Sequence, residues 1–139
     1  MKLKYTLDKG AYAPERAHET DAGADLRTRY AFSMDPYGTA VIDTGVHIEI
    51  PKGYMGQVCS KSGLNMKKNI FVPNGTVDSG YTGSVVVKLY NYGEETRRFS
   101  AGDKIAQIII QPVECCEFEQ VEKLDETERG NNGFGSTGR

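Results

Sequence analysis

Cysteine is scarce in this sequence. The three cysteines are Cys59, Cys115 and Cys116, and no two of them stand in a C-x-x-C spacing. An odd number with two adjacent members encodes neither a disulfide framework nor a zinc site, which fits a reducing compartment, most simply the cytoplasm. A nucleophilic role for Cys59 would need a base from only two histidines, so we expect a buried small hydrophobe in a strand instead.

The sequence also lacks a surplus of positive charge and any long apolar run. Lys and Arg number 17 against 19 Asp and Glu, for a net charge of −2, so the field of the whole chain gives no reason to bind nucleic acid. No stretch approaches the roughly 18 apolar residues of a membrane-spanning helix, and the N-terminus has no apolar core of a signal peptide. We therefore expect no nucleic-acid partner and no membrane. A length of 139 residues leaves room for one domain.

Helical periodicity is nearly absent, and 16 glycines separate short β-branched runs at the spacing of a sandwich or barrel. The pattern predicts an all-β fold, a distorted jelly roll or compact barrel, with at most one short helix at 62–68 capped by Ser62. The clearest predicted strands are 84–91 and 104–111. Weaker strands are predicted at 2–7, 24–28, 39–44, 46–50, 54–60, 69–72 and 113–121.

The end of the chain changes in character. From Asp125 to Arg139 it has four glycines and one aromatic residue, too little apolar surface to offset the entropy of ordering. We expect a β domain over 1–124 and a flexible, glycine-rich arm over 125–139. Composition alone favours a frayed terminus with no function for this arm.

Two loops pair glycine with groups suited to phosphate or metal. The first carries Asp25, whose carboxylate could help to hold a hydrated Mg²⁺; a turn-forming Asp is the simpler alternative. The second combines Lys61, Ser62 and Gly63 at a helix start, where amide groups favour anions. The simpler alternative there is an N-cap beside a solvated lysine.

A third loop, 74–83, is dense in residues that adopt positive φ and predicts a tight β-hairpin. The main chain of such a ribbon could pair with a flat polar ring, and Asp78 could accept a proton from an attacking water. A turn-forming Asp is again the alternative. In the tail, Arg129 supplies a forked donor for phosphate oxygens and Phe134 a face for stacking.

Taken together and in order, these segments resemble the five motifs of the trimeric dUTPases. The matching segments are Asp21–Leu26, Lys61–Leu64, Gly75–Gly83, Gly102–Gln107 and Arg129–Gly138. Each alone is a weak signal. Five in the right order, at compatible separations and across nearly the whole chain, indicate the family.

The resemblance implies a homotrimer of distorted jelly rolls (β-clip barrels) with shared active sites that hydrolyse dUTP to dUMP and pyrophosphate with Mg²⁺. It implies that Asp78 is the catalytic base and that Asp25 binds Mg²⁺ through a water, most of the ion being held by substrate phosphates. The substrate-binding residues that it implies are Lys61, Ser62, Gly63, Gly75, Thr76, Val77, Tyr81, Val86, Gln107, Arg129, Phe134, Gly135 and Ser136.

Two positions depart from the family pattern, and two other functions stay open. Lys61 stands where Arg is usual and loses the bidentate fork, and Gly80 stands where an acidic residue is common, which we interpret as a change in turn geometry.

A dCTP deaminase-like enzyme would need a catalytic Glu at the position of Lys88. A non-catalytic nucleotide-binding β domain would need no base at Asp78.

Overall fold

The computed structural model describes residues 1–133. Within them the chain forms 11 strands and one seven-residue helix. In chain order these are β1 (Lys4–Leu7), β2 (Ala24–Arg27), β3 (Phe32–Met34), β4 (Thr39–Asp43), β5 (Val46–Glu49), β6 (Tyr54–Cys59), α1 (Ser62–Lys68), β7 (Ile70–Phe71), β8 (Gly75–Val77), β9 (Val86–Asn91), β10 (Arg97–Phe99) and β11 (Lys104–Pro112). The predicted all-β class with one short helix is confirmed.

The strands form four small antiparallel sheets. The largest has the order β2-β11-β6-β8, and a second has the order β4-β9-β7. Two further sheets pair β1 with β5 and β10 with β3. Neighbouring strands are often far apart in sequence, as expected of a fold that closes on itself rather than of a simple meander.

The core lies between these sheets and follows the two-residue period of its strands. In β9, Val87 and Leu89 are fully buried while Val86 and Lys88 are exposed, because successive side chains of a strand point to opposite faces. Leu26 and Ile105 are also fully buried. Each such side chain stabilises the fold by about 1.5–3 kcal/mol through burial. No helix within residues 1–133 is long and apolar enough to cross a membrane.

Most predicted strands are present, but the prediction at 113–121 is wrong. Residues 113–133 contain no strand; Phe118 is 97% exposed and Val121 is 50% exposed. The segment is one of the weaker predicted strands, and in the single chain all of residues 113–121 are exposed. The predictions missed β3 and β10, which have three residues each and are too short for a strand period to be recognised in the sequence.

The predicted hairpin at 74–83 is also wrong. β8 pairs with β6 in the four-stranded sheet, whereas β9 pairs with β4 and β7 in another sheet. Residues 78–85, which we call the crossover segment, therefore pass from one sheet to the other. The glycines therefore lie in a connection between two sheets and not in the turn of a β-hairpin.

Candidate active site

Asp25 lies on β2, at one edge of the four-stranded sheet, and is 5% exposed. One carboxylate oxygen bonds the ammonium group of Lys61, and the other lies 2.6 Å from Nζ of Lys104. Burial raises the pKa of Asp25, but the hydrogen bonds and charges of Lys104 and Lys61 more than offset this and hold it below its ordinary value. Asp25 is therefore ionised at neutral pH.

Gln107 lies next to Asp25 in the sheet, opposite Asp25 on one side and Cys59 on the other. Its side-chain amide donates to the carbonyl oxygen of Ser60 at 2.9 Å, which ties β11 to the start of the Lys61 loop. The side chain fits only because residue 23 is glycine, since a Cβ there would come within 2.3 Å of the Gln107 amide oxygen. Cys59 lies in a strand as predicted but is only partly buried, and this burial raises its pKa.

The helix start next to this cluster differs from the prediction. Lys61, not Ser62, is the N-cap residue, and no side chain caps the helix. The Lys61 carbonyl accepts the amides of Leu64 and Asn65 at 3.1 and 3.0 Å. Ser62 is the first helical residue and Gly63 the second, and both are exposed, while the ammonium group of Lys61 bonds Asp25.

Asp78 directly follows β8 and is exposed. No hydrogen bond or ion pair engages its carboxylate within residues 1–133. Its carbonyl oxygen accepts the Tyr81 amide at 3.2 Å across a turn in which Gly80 has φ of 87°. A left-handed residue at this position favours glycine, which accounts for the departure from an acidic residue.

Tyr81 folds back over the crossover segment. Its hydroxyl donates to the Ser84 carbonyl at 3.1 Å, and its ring lies against Gly83, where a Cβ would come within 2.3 Å of the hydroxyl oxygen. The Tyr81 side chain is 47% exposed, so one face of the ring stays accessible.

The remaining predicted residues lie at three places. Gly75, Thr76 and Val77 form β8, and Val86 begins β9 with half of its surface exposed. Arg129 lies in an exposed turn, where its Nε donates to the Asn132 carbonyl at 2.8 Å. The predictions for Phe134, Gly135 and Ser136 lie outside the described residues.

A single chain does not bring the two carboxylates together. Val77 pairs with Gly56, so Asp78 lies near the start of β6, while Asp25 and Gln107 lie level with its end at Cys59. Measured along the strand direction, the positions of Asp25 and Asp78 differ by ~13 Å. Measured across the sheet, the three strand spacings between β2 and β8 separate them by a further ~14 Å. The carboxylates of Asp25 and Asp78 are thus on the order of 15–20 Å apart in one chain.

Sequence reasoning missed Lys104 as a site residue. It begins β11 and forms an ion pair with Asp25. The available signal was its place in the segment Gly102–Gln107, but only the antiparallel register between β2 and β11 reveals that the two side chains meet.

A sequence model of the dUTPase family matches residues 9–138, nearly the whole chain. The chain belongs to the dUTPase family. It is 43% identical to the deoxyuridine 5′-triphosphate nucleotidohydrolase of Gloeothece citriformis, covering 99% of this chain and 97% of that protein. It is 41% identical to the human mitochondrial nucleotidohydrolase, covering all of this chain but 56% of that longer protein.

Solved structures of the family agree with the fold. A mutant of the Staphylococcus bacteriophage 80alpha dUTPase with dUpNHpp superposes with a TM-score of 0.94 at 32% identity, covering 99% of both chains. A mutant dUTPase of phage phi11 of S. aureus, described with a structural Mg(II) ion, has a TM-score of 0.85 at 29% identity, covering 91% of this chain and all of that one.

These comparisons do not favour the two other functions. At the position where a dCTP deaminase-like enzyme would need a carboxylate, the structure has Lys88, whose ammonium group lies 5.1 Å from the centre of the Tyr90 ring. Lys88 is exposed on β9. It cannot supply the carboxylate of a deaminase.

Proposed function

We propose the following mechanism for this chain, whose family membership makes it a dUTP diphosphatase that hydrolyses dUTP to dUMP and pyrophosphate. Asp78 orients a water and accepts its proton, and the oxygen attacks the α-phosphorus in line as the bond to pyrophosphate breaks. The observation that carries the proposal is the position of Asp78: an exposed carboxylate just beyond β8, with no partner in the part of the chain that the structure describes.

The complete site is shared between chains of a homotrimer. Asp25, Lys61 and Gln107 form one cluster, and Asp78 lies at the other end of the same sheet. Asp78 acts at the α-phosphorus of the same triphosphate that the cluster binds, yet the two carboxylates are on the order of 15–20 Å apart in one chain. A second copy therefore presents its Asp78 to the first cluster. The light-scattering mass of the protein is expected to be that of three chains, and a monomer that is fully active would contradict this arrangement.

The cluster around Lys61 binds the phosphates. The amides and hydroxyl at Ser62 and Gly63 lie at the helix start, where the partial positive charge favours anions, and the ammonium group of Lys61 supplies a further positive charge. These groups stabilise the charge that develops as pyrophosphate leaves. Gln107 supports this pocket because it holds the Ser60 carbonyl at the end of β6.

Asp25 is the residue that would hold Mg²⁺, through a water. Its depressed pKa keeps it ionised, and carboxylate oxygens are ligands that Mg²⁺ prefers. Within residues 1–133 no group of three acidic, His or Cys side chains could hold a metal alone, so substrate phosphates supply the other ligands, as is common for Mg²⁺. When bound, the ion neutralises phosphate charge and fixes one conformation of the triphosphate.

β8 and the residues around it select the nucleotide. The main chain of Gly75, Thr76 and Val77, together with Val86, pairs with uracil, whereas cytosine presents the wrong donor pattern. The backbone excludes the thymine methyl group. Tyr81 packs under the deoxyribose, where a 2′-hydroxyl would clash, so UTP is excluded.

The arm 125–139 closes over the site of neighbouring chains. Arg129 grips the γ-phosphate with its forked donors, and Phe134 stacks on the uracil ring. Gly135 allows the backbone to approach the phosphates closely, and Ser136 adds a further polar contact to them.

In the cell this reaction limits incorporation of uracil into DNA and supplies dUMP for thymidylate synthesis. We place it in the cytoplasm because the thiols are unpaired.

The first test is Asp78→Asn. We expect turnover of dUTP to fall by about 10³-fold or more, because a general base contributes 10²–10⁴-fold and this one also positions the water. Binding of a non-cleavable dUTP analogue, measured by calorimetry, should change by less than about threefold. Pyrophosphate release is measured against dUTP, dCTP, dTTP and UTP, with Mg²⁺ and with chelator. Near wild-type turnover by the variant would refute the role of Asp78.

A further inference from the structure

His47 joins the crossover segment to the paired strands β1 and β5. Val46 and Ile48 are buried, so the alternation of β5 puts His47 on the other side, where its side chain is 28% exposed. Its Nδ1 lies 2.8 Å from the Thr82 carbonyl oxygen, and its Nε2 lies 3.3 Å from Oδ1 of Asp8. A carbonyl oxygen only accepts, so Nδ1 carries a hydrogen and donates it to Thr82.

The contact at Thr82 is one of three anchors on the far side of the crossover segment. The second is Ser84, whose hydroxyl bonds the Asp43 carboxylate, and the third is Val85, whose amide donates to the Val46 carbonyl at 2.8 Å. Arg29 joins the first two anchors, since its guanidinium group lies 3.2 Å from Asp8 and 2.7 Å from Asp43. Thr82 is the anchor nearest to Asp78 along the chain.

Between Val77 and Thr82 the chain is held only weakly. Val77 is fixed by its pairing with Gly56. After it, the bonds within residues 78–81 are confined to the segment itself, namely the Tyr81 amide to the Asp78 carbonyl and the Tyr81 hydroxyl to the Ser84 carbonyl. The position of Asp78 therefore depends on one fixed point before it, the end of β8, and one after it, at Thr82.

We propose that His47 is a positioning residue for hydrolysis, because the hydrogen bond from Nδ1 to the Thr82 carbonyl holds the crossover segment in the shape that aims Asp78. The inference rests on the proposed role of Asp78 as the base. β8 is paired with β6 independently of His47, so substrate binding by the strand depends little on this contact. Loss of the contact is expected to lower kcat much more than it raises KM.

Two substitutions distinguish the contributions of the two ring nitrogens of His47. In His47→Asn the side-chain amide nitrogen takes the place of Nδ1 and can still donate to Thr82, while the contact with Asp8 is lost. In His47→Gln the terminal amide reaches the place of Nε2, so the contact with Asp8 is kept and the one with Thr82 is lost. The two variants are thus matched controls for each other, and melting temperature and light-scattering mass are measured for both.

We expect His47→Gln to lower kcat for dUTP by about three- to tenfold, the equivalent of one neutral hydrogen bond, with KM changed by less than about twofold. His47→Asn should keep kcat within about twofold of wild type. Equal kcat in wild type and both variants would overturn the inference, and so would equal loss in both, since the donor to Thr82 would then not be the cause. Asp78→Asn is assayed in parallel: if it stays active the proposed base is wrong, whereas an inactive Asp78→Asn beside an unimpaired His47→Gln removes only the role of His47.

Discussion

Glycine at position 23 determines whether Gln107 can reach its partner. A Cβ at this position would lie 2.3 Å from the Gln107 amide oxygen and 3.1 Å from its Cβ, so Gly23→Ala forces the Gln107 side chain away from the Ser60 carbonyl. The protein should still fold, because the displaced atoms belong to the end of a flexible side chain. We expect kcat/KM for dUTP to fall by about tenfold, the order of one lost hydrogen bond at a positioned site.

A double-mutant cycle checks this explanation. In a Gln107→Ala background the amide group that the methyl group would displace is absent and only the Cβ of residue 107, at 3.1 Å, is left, so Gly23→Ala should then cost less than about twofold in kcat/KM. Additive losses in the double variant would show that Gly23 acts by another route.

At the scale of single residues, the sequence predicted the members of the site better than their contacts. Asp25, Lys61 and Gln107 were each predicted from a loop or motif, but the ion pairs of Asp25 with Lys61 and Lys104 join residues from three separate segments. Local sequence does not encode such a pairing, because the register of β2, β11 and β6 brings the side chains together. The N-cap lies at Lys61, one residue before the predicted position at Ser62, because no side chain caps the helix and the backbone alone sets its start.

At the scale of elements, strands with strong apolar alternation were predicted to within one or two residues, as β9 and β11 show. The pairing of β8 was predicted wrongly. Glycine-rich sequence signals that the backbone turns but not which neighbour the next strand meets. The crossover segment and the sheet order β2-β11-β6-β8 are set by contacts between distant residues.

The ion pairs of Asp25 tie together β2, β11 and the end of β6, and their contribution depends on pH. The folded pKa of Asp25 lies below its ordinary value, so these pairs stabilise the fold fully above the unfolded pKa of about 3.9 and lose their effect as the pH falls through the folded value. We expect the free energy of unfolding of wild type to fall more between pH 7 and pH 3 than that of Asp25→Asn, measured by urea titration.

The exposed pair Lys4–Glu49 provides the control for this measurement. Its side chains are 83% and 63% exposed, and exposed pairs contribute little to stability. Glu49→Gln should therefore follow the pH dependence of wild type closely. A flat difference between wild type and Asp25→Asn over the whole pH range would contradict the account of Asp25.

At the scale of the whole molecule, the arm is the part that the folded body does not hold. Within residues 1–133, the last backbone hydrogen bond that ties the chain to the folded body lies before the arm and runs from the Val113 amide to the Gly53 carbonyl at 2.9 Å. Beyond it the described backbone bonds are local turns, such as the Gly130 amide to the Thr127 carbonyl at 3.1 Å. Exposed Phe118 and Leu124 agree with a segment that finds its contacts outside its own chain.

Removal of residues 129–139 therefore separates folding from turnover. The described part of this stretch makes no backbone hydrogen bond to the body. The truncated protein should therefore keep its melting temperature within about 2 °C, a change that corresponds to roughly 0.5–1 kcal/mol. Its light-scattering mass should correspond to the same number of chains as that of the full-length protein. The loss of Arg129 and Phe134 should lower kcat/KM for dUTP by about 10²-fold, since each removes an interaction with the charged or aromatic part of the nucleotide. Arg129→Lys in the full chain is the matched control, because it keeps the positive charge without the forked guanidinium group. Its kcat/KM should lie between the values of the wild type and of the truncated protein. Full activity in the truncated enzyme would mean that the arm is a frayed end and that the site is complete without it.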